Sequence, residues 1–164
     1  NLSKTEKIEI AMLRARDLGI SQYEKTADYM ESLGIKKPIH IGETGWASSS
    51  NDFYGDEGTK ATDEYKEGLY YKKMRAWTAK NNMSCCDFEA FNENWKDEKN
   101  PAGSENFFGL FTIDGQAKYA LWDLVDEGKF KGLTRGENTI RKTYDGSKQN
   151  LMQVVKLPPT KSKK

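Results

Sequence analysis

Cysteine is nearly absent from this sequence: only Cys85 and Cys86 occur, side by side in a chain of 164 residues. Neighbouring cysteines give neither a disulfide framework nor the spacing of a metal site. They are read as two small buried strand residues rather than as a redox pair. Histidine is scarcer still, with His40 alone. No Ser–His–Asp arrangement is visible around it, and it is read as packed and hydrogen-bonded within a strand. An excess of one charge sign is also missing. The formal net charge is +1, which leaves no electrostatic footprint for nucleic acid or an anionic membrane. No apolar run reaches membrane-spanning length. Neither Gly-x-Gly-x-x-Gly nor Gly-x-x-x-x-Gly-Lys-Ser/Thr occurs, which weakens nucleotide-binding readings, and there is no internal repeat. A starting Met is lacking as well. The opening Asn1 is read as a processed or truncated start, so the missing signal peptide says little about compartment.

What is present is a polar but globular composition, 36% hydrophobic and 31% charged, long enough for one sizeable core. Ser3 and Glu6 have capping-box spacing. Ile8, Ala11/Met12, Ala15 and Leu18 follow on one helical face, and Gly19 reads as the stop. Ser21 and Glu24 suggest a second start, with Tyr23, Ala27, Met30 and Leu33 as its stripe and Gly34 as its end. Both stripes are read as core contacts. A strand is expected over Pro38–Gly42, then a long loop from Ala47 to Lys60 containing Phe53 and Tyr54, then a helix from Asp63 to Lys80. A second strand is expected from Met83 to Phe91, a turn at Asp114-Gly115 and a helix from Ala117 to Val125. Beyond Gly128 the chain is rich in Gly, Lys and Thr, with a strand candidate at Leu151–Leu157 and a solvated basic tail after Pro158-Pro159. Helix–strand–helix–strand–helix is the grammar of a parallel α/β barrel or doubly wound sheet.

Two of the expected strand ends bring an acid beside an indole: Glu43 with Trp46, and Glu93 with Trp95 and Lys96. Glu105 lies in an aromatic loop. In a barrel of this class the chemistry sits at the carboxyl ends of the strands. Hydrolysis of a glycosidic bond takes two carboxyl groups, and aromatic faces bind sugar rings. Spacing alone leaves Glu43 open between a catalytic acid and a solvated loop acid. On the same basis Glu93, Glu105 and Lys96 read as surface groups.

Ile41-Gly42-Glu43-Thr44-Gly45-Trp46 resembles the nucleophile segment of family 17 glycoside hydrolases, the β-1,3-glucanases and related glucanosyltransferases. Phe91-Asn92-Glu93-Asn94-Trp95-Lys96, followed by Glu105 and Phe108-Gly109-Leu110-Phe111, is similar in order and spacing to that family's second block. The likeness covers about residues 20 to 125 and looks more like the microbial branch, with Ala47 where many members carry Pro. It implies an α/β fold that is the C-terminal part of a (β/α)8 barrel: strands seven and eight with flanking helices over 1–127, and a C-terminal extension over 128–164. It further implies Glu43 as nucleophile. Glu93, Lys96 and Glu105 would stand at the end of strand eight, bonding the nucleophile region and the sugar, with Trp46, Phe91 and Trp95 as apolar walls. A lysine beside a carboxylate favours its ionised form, as a nucleophile requires.

The fold ordinarily needs about 250 residues. The family's acid/base lies on strand four, which this chain lacks, and Asp52, Glu57 and Glu89 are not assigned to that role. A complementary N-terminal polypeptide, or a longer parent chain, is therefore expected to complete the barrel, and the chain alone is expected to be inactive. The expected substrate is a β-glucan, with no metal or organic cofactor and with an extracellular or periplasmic setting by analogy. The alternatives are a glucanosyltransferase, a non-catalytic glucan-binding fragment, or a family 53-like galactanase.

Overall fold

The computed structural model describes residues 1–51 and 60–158. Phe53 and Tyr54 of the long loop, Asp52, Glu57 and the basic tail lie outside them.

Helix α1 runs unbroken from Lys4 to Ser32, not as two helices. Its start is the expected capping box: the Glu6 amide donates to Ser3 Oγ at 3.2 Å and the Ser3 amide to Glu6 Oε2 at 2.7 Å. The second box does not form, because Ser21 is inside the helix and its hydroxyl bonds the Leu18 carbonyl at 2.9 Å. Gly19 does not stop the helix but thins it. A Cβ there would stand 3.2 Å from the Tyr70 hydroxyl, so the missing side chain lets α1 approach helix α2, Glu64–Lys80. Close approach offsets the roughly 1 kcal/mol that a mid-helix glycine costs. The stripe expectations hold only in part. Ile8 and Met12 are buried, whereas Leu18 and Leu33 are more than half exposed.

Strand β1, Ile41–Thr44, and strand β2, Cys85–Asp87, pair in parallel. They are joined through α2, whose start is capped by Asp63 accepting the Lys66 amide at 2.9 Å. Both strands differ from expectation. The first lies later than Pro38–Gly42, so Glu43 is within it rather than past its end. The second is cut short before Phe91, because the chain bends at Phe88; Phe91 forms an isolated bridge to Phe111 instead.

The residues at 119–121 form a 3-10 turn leading into the short helix α3, Trp122–Asp126, in place of one helix from Ala117. A hairpin follows, β3 (Thr134–Arg135) with β4 (Asn138–Thr139). The strand expected at Leu151–Leu157 is helix α4, Lys148–Val154, capped by the Ser147 hydroxyl, which accepts the Asn150 amide at 3.2 Å. The apolar residues at the end of the chain are thus helical anchors. Leu151 and Val155 are buried with Ile8, Met12, Tyr65, Tyr70 and Trp122 in one cluster. Full burial of such a side chain contributes about 1.5–3 kcal/mol, so the C-terminal extension is part of the core that backs the sheet.

Candidate active site

The two strands have a helix-covered face and an open one. Thr44 Oγ1 and the Tyr70 hydroxyl of α2 are 2.8 Å apart, so Thr44 faces the helix. Thr44 aligns with Asp87 across the pair, and a bulge lies between Ile41 and Thr44. Because successive strand residues point to opposite faces, Glu43 and Cys86 stand on the other side. His40 joins them: its Nδ1 is 2.7 Å from Ser84 Oγ and its Nε2 is 3.7 Å from Cys86 Sγ. Glu43, His40, Ser84 and Cys86 are all exposed. This corrects two expectations: His40 is exposed and precedes the strand rather than lying packed within it, and Cys86 is exposed while Cys85 is half-buried. Glu43 has no hydrogen-bond or ion-pair partner among the described residues.

After β1 the chain is held down tightly. A Cβ on Gly45 would fall 2.1 Å from the Phe88 carbonyl oxygen, so only glycine lets the two strand ends meet. The Trp46 indole N–H donates to the Ala61 carbonyl at 2.9 Å and its ring packs against Tyr70 with centroids 5.5 Å apart. One edge of Trp46 still lines a cavity of about 250 Å³ with Gly45, Ala47, Ser50, Thr62, Ser104 and Phe108.

After β2 the charged groups gather. Lys96 Nζ lies 2.6 Å from Glu89 Oε2 and 3.2 Å from Glu93 Oε2, and 3.8 Å from the centre of the Phe88 ring. Lys96 therefore pairs with Glu89 and Glu93, not with Glu43. Burial pulls the Lys96 ammonium down, but its bonds to the two carboxylates outweigh this and set it above its ordinary range. Trp95 is 62% exposed, free to present a face to a ligand. Glu105 is exposed on the turn Ser104–Asn106. The turn is pinned by buried Asn106, whose side chain accepts the Asp97 amide at 2.9 Å and donates to the Asp97 carbonyl at 3.2 Å. Phe91 is placed differently from the other aromatics: it stacks on Phe111 at 5.2 Å, with the Arg135 guanidinium 4.0 Å from its ring centre.

Three charged residues that carried no signal in the sequence organise this end of the sheet. One is Glu89. The others are Lys118 and Glu67, an ion pair at 3.0 Å with both side chains at 2% exposure or less. Lys118 Nζ also donates to Ser48 Oγ at 2.6 Å, Asn92 Oδ1 at 2.8 Å and the Phe107 carbonyl at 3.3 Å. One ammonium thus ties the segment after β1, the segment after β2 and α2 together. Burial pushes the Glu67 carboxyl well up, with Lys118 opposing.

A sequence model of glycosyl hydrolases family 17 matches residues 28–122, more than half of the chain and spanning both strand ends. The chain belongs to this family. The crystal structure of an endo-laminarinase from Formosa Hel1_33_131 is similar over 100% of this chain at 60% identity, with a TM-score of 0.93. A family 17 β-1,3-glucanosyltransferase from Rhizomucor miehei, solved also as an active-site mutant with laminaritriose, is similar over 66% of the chain at 26% identity, with a TM-score of 0.52. The chain spans 42% of the laminarinase and 36% of the transferase. No curated protein matches it. Family 17 membership implies the (β/α)8 fold family, and this chain is a partial piece of it.

Proposed function

We propose that this chain is the nucleophile-bearing part of a retaining glycoside hydrolase acting on β-1,3-glucan of the laminarin type. One observation carries the reading: in a family 17 chain, two adjacent parallel strands carry Glu43 on an open face near the end of one and the Glu89–Lys96–Glu93 cluster just past the end of the other. The strands correspond to the seventh and eighth of the barrel. The Glu43 carboxylate attacks the anomeric carbon while the glycosidic C–O bond breaks. The leaving oxygen takes its proton from an acid on a part of the barrel outside this chain. Water then resolves the glycosyl-enzyme. Glu93, Lys96 and Glu105 bond sugar hydroxyls, and Trp46 and Trp95 supply apolar walls. Phe91, whose ring stacks on Phe111, is a third apolar wall.

The uncovered face supports a second element of the reading. A further polypeptide, whether the parent chain or a partner, covers it and brings the acid, and without it the chain does not turn over substrate. The setting is extracellular or periplasmic, where the polymer is found. In the completed barrel, Glu43→Gln lowers kcat on laminarin by roughly three orders of magnitude or more while glucan binding survives; substantial residual turnover would overturn the assignment. The likeness to a glucanosyltransferase favours one competing reading, in which a sugar replaces water as acceptor. Product lengths at high oligosaccharide concentration separate the two.

A further inference from the structure

Glu89 is the charged residue at the site that the second sequence block does not include, and it is the best anchored. Its amide donates to the Phe108 carbonyl at 3.0 Å and its carbonyl accepts the Leu110 amide at 2.8 Å, so both sides of its backbone are stitched to the neighbouring segment. Its carboxylate makes the shorter of the two bonds to Lys96, 2.6 Å against 3.2 Å from Glu93. It is also the less exposed partner, 13% against 34%. Less water competes for a charge-assisted bond at such a site, so the Glu89 contact is the stronger one. The Phe88 ring closes a further side of the ammonium at 3.8 Å. Glu93, on the same tight turn as Lys96, keeps the longer contact and the open exposure.

We propose that Glu89 is a positioning residue: it takes up the Lys96 ammonium so that Lys96 is fixed at the strand end and Glu93 is left able to accept a sugar hydroxyl. This rests on the glycosidase reading for its consequence in turnover, but not for the geometry itself. Burial raises the Glu89 carboxyl above its ordinary range, with the Lys96 bond opposing and the nearby Glu93 carboxyl adding to the rise, as expected of an acid enclosed with a cation on one side and an acid on the other. Glu89 Oε1 is buried without a hydrogen-bond partner among the described residues, so the charge-assisted bond from Lys96 to Oε2 is the main tie of this carboxylate.

Two measurements test this, one of which needs no turnover. In the chain itself, the Lys96 ammonium protons exchange slowly enough to give an NMR signal in the unmodified protein. They lose it in Glu89→Gln and Glu89→Ala, while the Leu110 amide stays protected and shows that the backbone holds. Retention of the Lys96 signal in both variants would overturn the proposal. In the enzyme with its barrel complete, Glu89→Ala lowers kcat/KM on laminari-oligosaccharides about tenfold, and less than about twofold when Lys96 is already Met, since a residue acting through another is non-additive with it. Losses that multiply would assign Glu89 a role independent of Lys96 and contradict the proposal. If the completed barrel shows no turnover at all, the glycosidase reading fails and the NMR measurement decides Glu89 alone.

Discussion

Thr44 and Glu43 are neighbours in sequence and opposites in environment: one bonds Tyr70 on the helix side, the other stands on the bare face. Asp87, aligned with Thr44, shares the enclosed side, and burial raises its carboxyl to about 7 against the partial relief of Arg75. A carboxyl raised in the folded state binds more protons there than in the unfolded chain, so stability falls as pH rises from about 4 to 7. Asp87→Asn removes that dependence. Its denaturation midpoint should exceed that of the unmodified chain at pH 8, with the gain in unfolding free energy bounded at roughly 4 kcal/mol, and the advantage should vanish near pH 4. Equal midpoints at pH 8 would contradict the burial of this acid. Lys118 gives the converse case. Lys118→Met leaves the buried Glu67 carboxylate without its cation, and should cost about 3–5 kcal/mol in a urea titration. The Glu93–Lys96 pair was legible because its residues follow a family pattern in order and spacing, whereas Glu43, expected beside that lysine, has no ion-pair partner among the described residues. Lys118, Glu67 and Glu89 were not, since a charged residue reads as surface until the tertiary fold closes over it.

At the scale of elements, the positions of helices were easier to read than their limits. Glycine misled at Gly19, where the sequence signal for a helix stop is the same as that for close packing against another helix. The reading failed for another reason at the C-terminus, where the apolar residues of α4 suggested a strand because a seven-residue helix carries only about two turns of periodicity. Gly45 shows what a close approach demands. Gly45→Ala would put a methyl into the Phe88 carbonyl, and backbone must move to admit it. Overpacking of this kind costs about 1–3 kcal/mol or more. Because Phe88 and Glu89 seat Lys96, the Lys96 ammonium signal should be lost along with the stability. A Gly45→Ala variant with unchanged midpoint and unchanged Lys96 signal would show that the strand ends are not locked together.

For the molecule as a whole, the uneven covering of the two-stranded sheet is the main fact. One face is backed by α2, which in turn packs on α1 and α4 around a common cluster, while the other leaves His40, Glu43, Ser84 and Cys86 in solvent. On the proposed reading that bare face is the inside of a barrel. Cys86 then reports completion: it should react readily with a thiol reagent in this chain and slowly once the rest of the barrel is present, whereas unchanged reactivity would mean the face stays open. The most direct measurement is covalent. A 2-deoxy-2-fluoro laminaribiosyl fluoride forms a glycosyl-enzyme that hydrolyses slowly, and peptide mass spectrometry locates it. In the completed barrel the account predicts one adduct, on Glu43. An adduct on Glu93, Glu105 or any other acid, or continuing turnover with no adduct, would contradict it.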